Sequence, residues 1–422
     1  MTTAPASRPP LRPLDEALAD LLAQAVPLGE IQNISTFDAD GRVLAQDLVS
    51  PLDVPGHDNS AMDGYAVRLA DLAGTDILTV NQRIPAGSQG QALAPLSAAR
   101  IFTGAPVPPG ADAVVMQEAT ETLPEAGQVR VLAAPEPGQW IRRRGEDVAR
   151  GAVVLPRGAR LTPASLGLAA SIGFAQLTVS RPVRVALFST GDELVMPGDV
   201  PADQLPPGAI YNSNRFFLRA LLKRLGCEVT DLGIVPDQRE ATIDALASAA
   251  RDHDLILTSG GVSVGEEDHI KPAVQALGEL MLWQIAIKPG KPFAYGRVRR
   301  PAPSAGSADF AHFIGLPGNP VSSFVTFLLL VRPFLLKLQG AADLLPQAMP
   351  AVAGFAWPKA DKRREFLRVQ LTPRGGLALF ENQSSGVLTS AVWGDGLVDN
   401  PPGQTITPGS IVQYIPFSAL LS

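Results

Sequence analysis

Arg184-Val185-Ala186-Leu187-Phe188-Ser189-Thr190-Gly191-Asp192-Glu193 is an apolar run that ends in a glycine turn, and the same device recurs three times before Pro320. The later turns read Thr258-Ser259-Gly260-Gly261-Val262-Ser263, Lys288-Pro289-Gly290-Lys291-Pro292 and Gly315-Leu316-Pro317-Gly318-Asn319-Pro320. Short apolar runs at Val183–Phe188, Cys227–Val235, Leu255–Leu257, Leu282–Ile287, Phe293–Tyr295 and Phe313–Leu316 predict strands. Helices are predicted at Arg215–Leu225, stopped by Gly226, at Gln238–Asp252, at Pro272–Leu277, and at Val321–Leu338 as a long closing helix. Alternation at this spacing predicts a mostly parallel, doubly wound α/β domain over residues 182–340. In such a sheet the loops at the carboxyl ends of neighbouring strands converge on one crevice, where ligands bind.

Outward from this core the pattern changes. Leu14, Leu18, Leu21 and Leu22 share one helical face, which predicts an amphipathic helix from Leu14 to Val26. Residues 51–144 hold short β-like runs such as Ala113–Met116 and Val129–Leu132 between Pro/Gly turns, a small β domain. Thr162-Pro163 begins a helix, with Thr as cap and Pro in the first position. The stretch 301–308 reads as an exposed insertion, and short strands after Leu345-Pro346 predict a β-barrel over residues 346–422. The whole is multidomain, α/β plus β.

Composition narrows the function. The chain has 422 residues, 46% hydrophobic and 18% charged, with a formal net charge of −6. That balance gives no general affinity for nucleic acid or anionic membrane. The lone Cys227 excludes an internal disulfide and a cysteine-rich zinc site, and four scattered histidines do not suggest a His-based metal cage. The longest greasy run, Phe324 to Val331, stops at Arg332-Pro333, short of the roughly 20 residues a span needs. With no basic-then-apolar leader at the start, a cytoplasmic, membrane-free protein is expected.

Each motif admits a bland and a chemical reading. Thr190-Gly191-Asp192-Glu193 fits an ordinary βα turn, or carboxylates placed at a strand end to hold Mg²⁺. In Ser259-Gly260-Gly261-Val262-Ser263-Val264-Gly265, three glycines permit positive φ, so that successive N–H groups can surround a phosphate. No Gly-Lys-Ser/Thr follows, which separates it from a Walker A loop. Glu266-Glu267-Asp268 follows instead, and acids beside a phosphate cradle call for a cation. Lys288 and Lys291, framed by prolines and a glycine, face an anion better than free lysines would. Gly318-Asn319-Pro320 opens a helix whose N-terminal dipole adds positive charge there. Outside the α/β domain, Asp58-Asn59-Ser60-Ala61-Met62-Asp63-Gly64-Tyr65-Ala66 fits an Asx-turn, and Arg142-Arg143-Arg144-Gly145-Glu146-Asp147 fits a solvated charge run.

Taken in order with Thr103-Gly104-Ala105-Pro106, these strings closely resemble the molybdopterin molybdenumtransferases, related to the C-terminal domain of gephyrin. The resemblance runs from about Leu14 to the C-terminus. It implies an elongated homodimer, with residues 11–50 and 145–181 as a dimerisation and linking region. It also implies conversion of adenylylated molybdopterin and molybdate, with Mg²⁺, to molybdenum cofactor and AMP. The residues it carries over as catalytic are Asp58, Thr103, Asp147, Glu193, Asp254, Asp268 and Lys288, with Glu193 and Asp268 on the metal. Substrate contacts are expected from Ser259, Gly260, Gly261, Ser263, Gly265, Lys291, Pro317, Gly318 and Asn319, from Ser385 in the Ser385-Gly386 turn, and from Arg364 or Arg368. Gln284 stands where a basic residue is common in the family, and residues 301–308 extend a connection that is often shorter. Candidate further partners are the adenylyltransferase and recipient molybdoenzymes. Two other classes compete: a non-catalytic scaffold or carrier of the gephyrin type, and the adenylyltransferase, which shares the glycine cradle but lacks flanking β domains.

Overall fold

The computed structural model describes residues 11–261, 269–301 and 308–421. Its centre is a six-stranded sheet of Arg184–Thr190, Glu228–Val235, Leu255–Ser259, Gly278–Gln284, Pro292–Arg299 and Phe310–Leu316. Counted along the chain, these lie side by side in the order second, first, third, sixth, fifth, fourth. The first four in that row pair in parallel, and the last two join antiparallel at one edge. Val185 to Phe188 are continuously apolar because both faces of their strand are covered. Val185, Leu187, Leu257 and Ile314 pack with Leu218 and Leu222 of helix Asn214–Arg224 and with the closing helix. Ala186, Phe188, Ile256 and Phe313 face the other way, onto Leu246 and Ala250 of helix Arg239–Asp252 and Ala273 of helix Ile270–Leu277. The sheet is thus wound on both sides, as its sequence predicts.

The closing helix, Pro320–Leu338, is long and apolar enough to cross a membrane, yet most of its surface is buried within this core. Over Phe327–Val331 it widens to a π-helical turn. Pro333 cannot donate to the carbonyl of Leu329 and its ring crowds that carbonyl, which the wider turn relieves. The predicted strand Leu282–Ile287 divides in two. Gly278–Gln284 stays at the edge of the sheet, and Ile287–Lys288 leaves to pair in parallel with Arg364 and Glu365.

The remaining chain forms three β-rich assemblies. Ile31–Ser35 pairs with Gln176–Ser180, and Leu48–Val49 with Val153–Leu155, around a core that includes Leu44, Leu161, Ile172 and Val179. Helix Pro163–Ser171 begins as expected, with the Thr162 hydroxyl accepting from the Ser165 amide. The helix Leu14–Gln24, within the 11–50 stretch by sequence order, packs Leu14, Ala17 and Leu21 on the α/β core instead. A second six-stranded sheet comprises Gly64–Val67, Ile77–Ile84, Ser97–Ile101, Ala113–Met116, Thr120–Leu123 and Gln128–Val131. At the C-terminal end, Met349–Ala353, Arg364–Leu371, Gly376–Leu379, Gly396–Asn400 and Ile411–Pro416 close into a five-stranded barrel.

Candidate active site

The chain passes from the first to the second sheet strand over one face and from the second to the third over the other, so a crevice opens between the carboxyl ends of Arg184–Thr190 and Leu255–Ser259. A cleft of about 610 Å³ lies there, walled by Ser189, Thr190, Glu193, Asn212, Asn214, Ser259, Gly260, the turn Pro317-Gly318-Asn319, Pro292 and Gly386. Asn214 ties two of these walls together. Its Nδ2 donates to Ser259 Oγ at 2.7 Å and to the Gly318 carbonyl at 2.7 Å. Gly260 has φ +94°, and a Cβ on it would stand 2.9 Å from the Thr190 carbonyl, so only glycine brings these two strand ends this close. Asn212 is fixed by its Oδ1, which accepts from the Arg215 amide at 3.2 Å. Its Nδ2, with Ser189 Oγ and Thr258 Oγ1, is buried without a hydrogen-bond partner among the described residues.

One charged residue joins this polar floor, and the loop that ends at Pro292 carries two more. Glu193 is exposed at the rim and is the only carboxylate among the described cleft-lining residues. Lys291 is half-buried and makes no ion pair among the described residues. Lys288 is held from the barrel side. Its Nζ donates to Glu365 Oε1 at 2.9 Å, lies 3.6 Å from Asp361 Oδ2 and sits 5.7 Å over the Trp357 ring. Glu365 is 1% exposed, and its other oxygen accepts from Trp357 Nε1 at 2.7 Å. Asp361 also takes Arg363 Nε at 3.0 Å and Nη2 at 2.8 Å, and these contacts push its carboxyl far below the usual range.

Of the barrel residues expected at the site, the Ser385-Gly386 turn is brought there: the Ser385 carbonyl accepts from the Val321 amide at 2.9 Å. Arg364 is engaged elsewhere, with Asp399 at 2.6 Å and Asp15 at 2.9 Å. Arg368 is 1% exposed and donates to Ser390 Oγ and the carbonyls of Phe366 and Ser384, with burial lowering its pKa to about 10. The barrel arginine beside Lys288 is Arg363, which sequence reasoning passed over.

Asp254 is not brought to the cleft. It precedes its strand, so it lies at the opposite end, where Arg181 grips it at 2.7 and 3.0 Å and the Arg184 amide donates at 2.8 Å. Asp58, Thr103 and Asp147 lie outside the described wall of this cleft, with Asp58 and Thr103 in the small β region. Asn59–Ser60 pairs with Ile141–Arg142, and the Ser60 amide donates to the Ala105 carbonyl at 2.9 Å. Asp58 accepts from the Arg144 amide at 2.8 Å and Arg143 Nη1 at 2.7 Å, and these bonds hold its carboxyl below the usual range. Thr103 donates through N and Oγ1 to Asp63 Oδ1, both at 2.7 Å, and Asp147 is exposed. Ser263, Gly265 and Asp268 fall outside the described residues.

Comparison with known proteins agrees with this geometry. Three family descriptions match consecutive parts of the chain: "MoeA N-terminal region (domain I and II)" over residues 12–173, "Probable molybdopterin binding domain" over 186–337, and "MoeA C-terminal region (domain IV)" over 350–417. The cleft therefore belongs to an α/β fold of the molybdopterin-binding class. The molybdopterin molybdenumtransferase of Haemophilus influenzae is 45% identical over 84% of this chain and 85% of its own length. Molybdopterin molybdenumtransferase 2 of Mycobacterium tuberculosis is 39% identical over 86% of this chain and 89% of its own. Among solved structures, a molybdopterin biosynthesis MoeA protein of Pyrococcus horikoshii superposes with a TM-score of 0.81 at 28% identity, covering 96% of this chain and 100% of that one. The chain belongs to the molybdopterin molybdenumtransferase family.

Proposed function

We propose that this protein inserts molybdenum into molybdopterin, converting adenylylated molybdopterin and molybdate to molybdenum cofactor and AMP. The observation that carries this reading is the cleft at the switch point of the sheet. A glycine turn, fixed hydroxyl and amide groups, and one rim carboxylate meet there, and Pro292, next in sequence to Lys291, joins the wall. Both substrates are anions, and fixed donors and cations offset the cost of bringing like charges together.

Mg²⁺ suits the donors present. Among the described residues no cluster of three or more His, Cys, Asp or Glu could hold a metal alone. Mg²⁺ needs no such cage, since it commonly takes one or two carboxylates and completes its shell with water and substrate phosphate oxygens. Glu193, with Asp268 outside the described residues, would hold it, and it would neutralise charge on the pyrophosphate. The Gly260 amide is spent on the Leu316 carbonyl at 3.1 Å. Phosphate oxygens are therefore met by the Ser189 and Thr258 hydroxyls and the Asn212 side-chain amide, unpartnered among the described residues, while Lys291 and Lys288 draw in the oxyanion and Arg363 adds a cation from the barrel. Asp254 acts in the fold. Asp58, Thr103 and Asp147 close the site from the second subunit of a homodimer, and the protein works in the cytoplasm.

The test is incubation of the purified protein with adenylylated molybdopterin, Mg²⁺ and molybdate. AMP release that depends on molybdate, together with reconstitution of a cofactor-free molybdoenzyme, is the expected result. Binding without AMP release would overturn the reading and leave a carrier.

A further inference from the structure

Beside the cleft runs a second concavity of about 440 Å³, and its walls are apolar. Phe216, Phe217, Phe324, Leu388 and Val392 line it, and among the described residues Ser213 is the only lining residue with a polar side chain. Phe217 and Phe324 are locked edge to face, with ring centres 5.8 Å apart, and Phe324 is backed by Phe417 at 5.5 Å. Phe216 makes no ring contact among the described residues and is 53% exposed, and Val392 is 81% exposed. These two rim positions leave apolar surface in water that a flat ligand would cover.

The groove is an annex of the cleft. Helix Asn214–Arg224 gives Asn214 to the cleft and Phe216 to the groove. The closing helix gives Pro320 and Ser322 to one and Phe324 to the other, and the segment after Ser385 gives Gly386 and Leu388 likewise. Ser213 borders both. A ligand whose phosphates lie in the cleft would therefore reach the groove with whatever is attached to them.

We propose that this groove stacks the adenine ring of the adenylylated substrate, an inference that rests on the reading of the cleft given above. The substrate has a heteroaromatic ring at each end. The pterin carries the dithiolene that receives the metal, so it must be held in register by hydrogen bonds along its amide edge. A groove with one hydroxyl cannot supply those bonds. The adenine leaves as AMP and needs only a face to rest on, with its polar edge in water. An open apolar trough flanked by Phe216 gives that contact and lets the product go.

Ligand truncation separates this from other uses of the groove. Dissociation constants of the full chain with Mg²⁺ are measured calorimetrically for AMP and for ribose 5-phosphate, which lacks the base. Base–aromatic stacking predicts that Phe216→Ala weakens AMP roughly 5- to 150-fold. Ribose 5-phosphate should bind as it does to the unaltered protein, and Phe216→Trp should restore AMP affinity. Unchanged thermal midpoints without ligand check that both variants fold. Equal loss for the two ligands, or no loss for either, overturns the proposal and assigns the groove to the pterin or to another protein. If the unaltered protein binds neither ligand, the nucleotide reading of the cleft itself fails, and the groove assignment falls with it.

Discussion

The strand Leu255–Ser259 ends in two different chemistries. At its amino end Asp254 is 7% exposed and spends its carboxylate on Arg181 and the Arg184 amide, with Arg300 3.8 Å away. Glu30 extends the network through Arg181. At its carboxyl end Thr258 Oγ1 is sealed without a partner among the described residues, as are Ser189 Oγ and Asn212 Nδ2 on the neighbouring segments. An unsatisfied buried polar group costs about 1–3 kcal/mol. Arg300 Nε is also buried without a hydrogen-bond partner among the described residues at the Asp254 end. What separates the two ends is therefore the carboxylate: at one it is committed to arginines, and at the other the idle groups are neutral donors facing a cleft. An acidic residue therefore cannot be assigned to catalysis by its type alone. Which end of the strand it flanks decides.

Three measurements would break or sharpen that contrast. The largest effect is expected from Asp254→Ala, which leaves Arg181 and Arg300 facing each other without their carboxylate. Denaturant unfolding should show a loss of about 3–5 kcal/mol, while turnover per folded molecule is kept. Lost turnover at unchanged stability would move Asp254 into the chemistry. Glu193→Ala should do the reverse. Its rate of AMP release should fall by roughly 10²–10³, with thermal midpoint and oligomeric state intact, and full turnover would remove Glu193 from the site.

The smallest effect is a pH slope at the paired end. His312, next to Asp254 in the sheet, is 8% exposed, and its Nδ1 lies 2.9 Å from the Tyr295 hydroxyl. Burial, aided by the Arg297 charge, lowers its pKa from 6.5 to about 4. The unfolded chain then binds the proton more readily than the folded one. His312 thus contributes fully above pH 6.5 and loses its contribution as the pH falls toward 4. The slope should be at most about 1.4 kcal/mol per pH unit. Unfolding curves of His312→Gln across that window should be flatter, and an unaltered slope would assign it to other groups.

Local periodicity made much of the fold legible. Ala113–Met116 and the helix start at Pro163 fall where a short apolar run between turns and a capping pair place them, because those signals are carried by adjacent residues. Segment 278–288 defeated the same reading. Its last residues leave the sheet because Ala286 donates to the Arg12 carbonyl and accepts from the Arg364 amide, partners remote in the chain. Arg364 and Arg368 share a strand parity, and nothing local says which parity faces the site; Arg363 has the other. Asn212 and Asn214 were visible only as polar residues before a helix. Asn214 matters through Ser259 and Gly318, which accept from it, and Asn212 through the cleft that its Nδ2, unpartnered among the described residues, faces.

The pairing of Ile287–Lys288 with Arg364 and Glu365 makes the barrel a lever on the lysine-bearing loop that ends at the cleft wall in Pro292. Any swing of the barrel carries the Lys288 ammonium with it, since backbone and counter-ion move as one piece. Cutting the chain after residue 345 would therefore remove no mere appendage. It would strip a lysine of its buried anchor and leave the anion-drawing loop without a fulcrum.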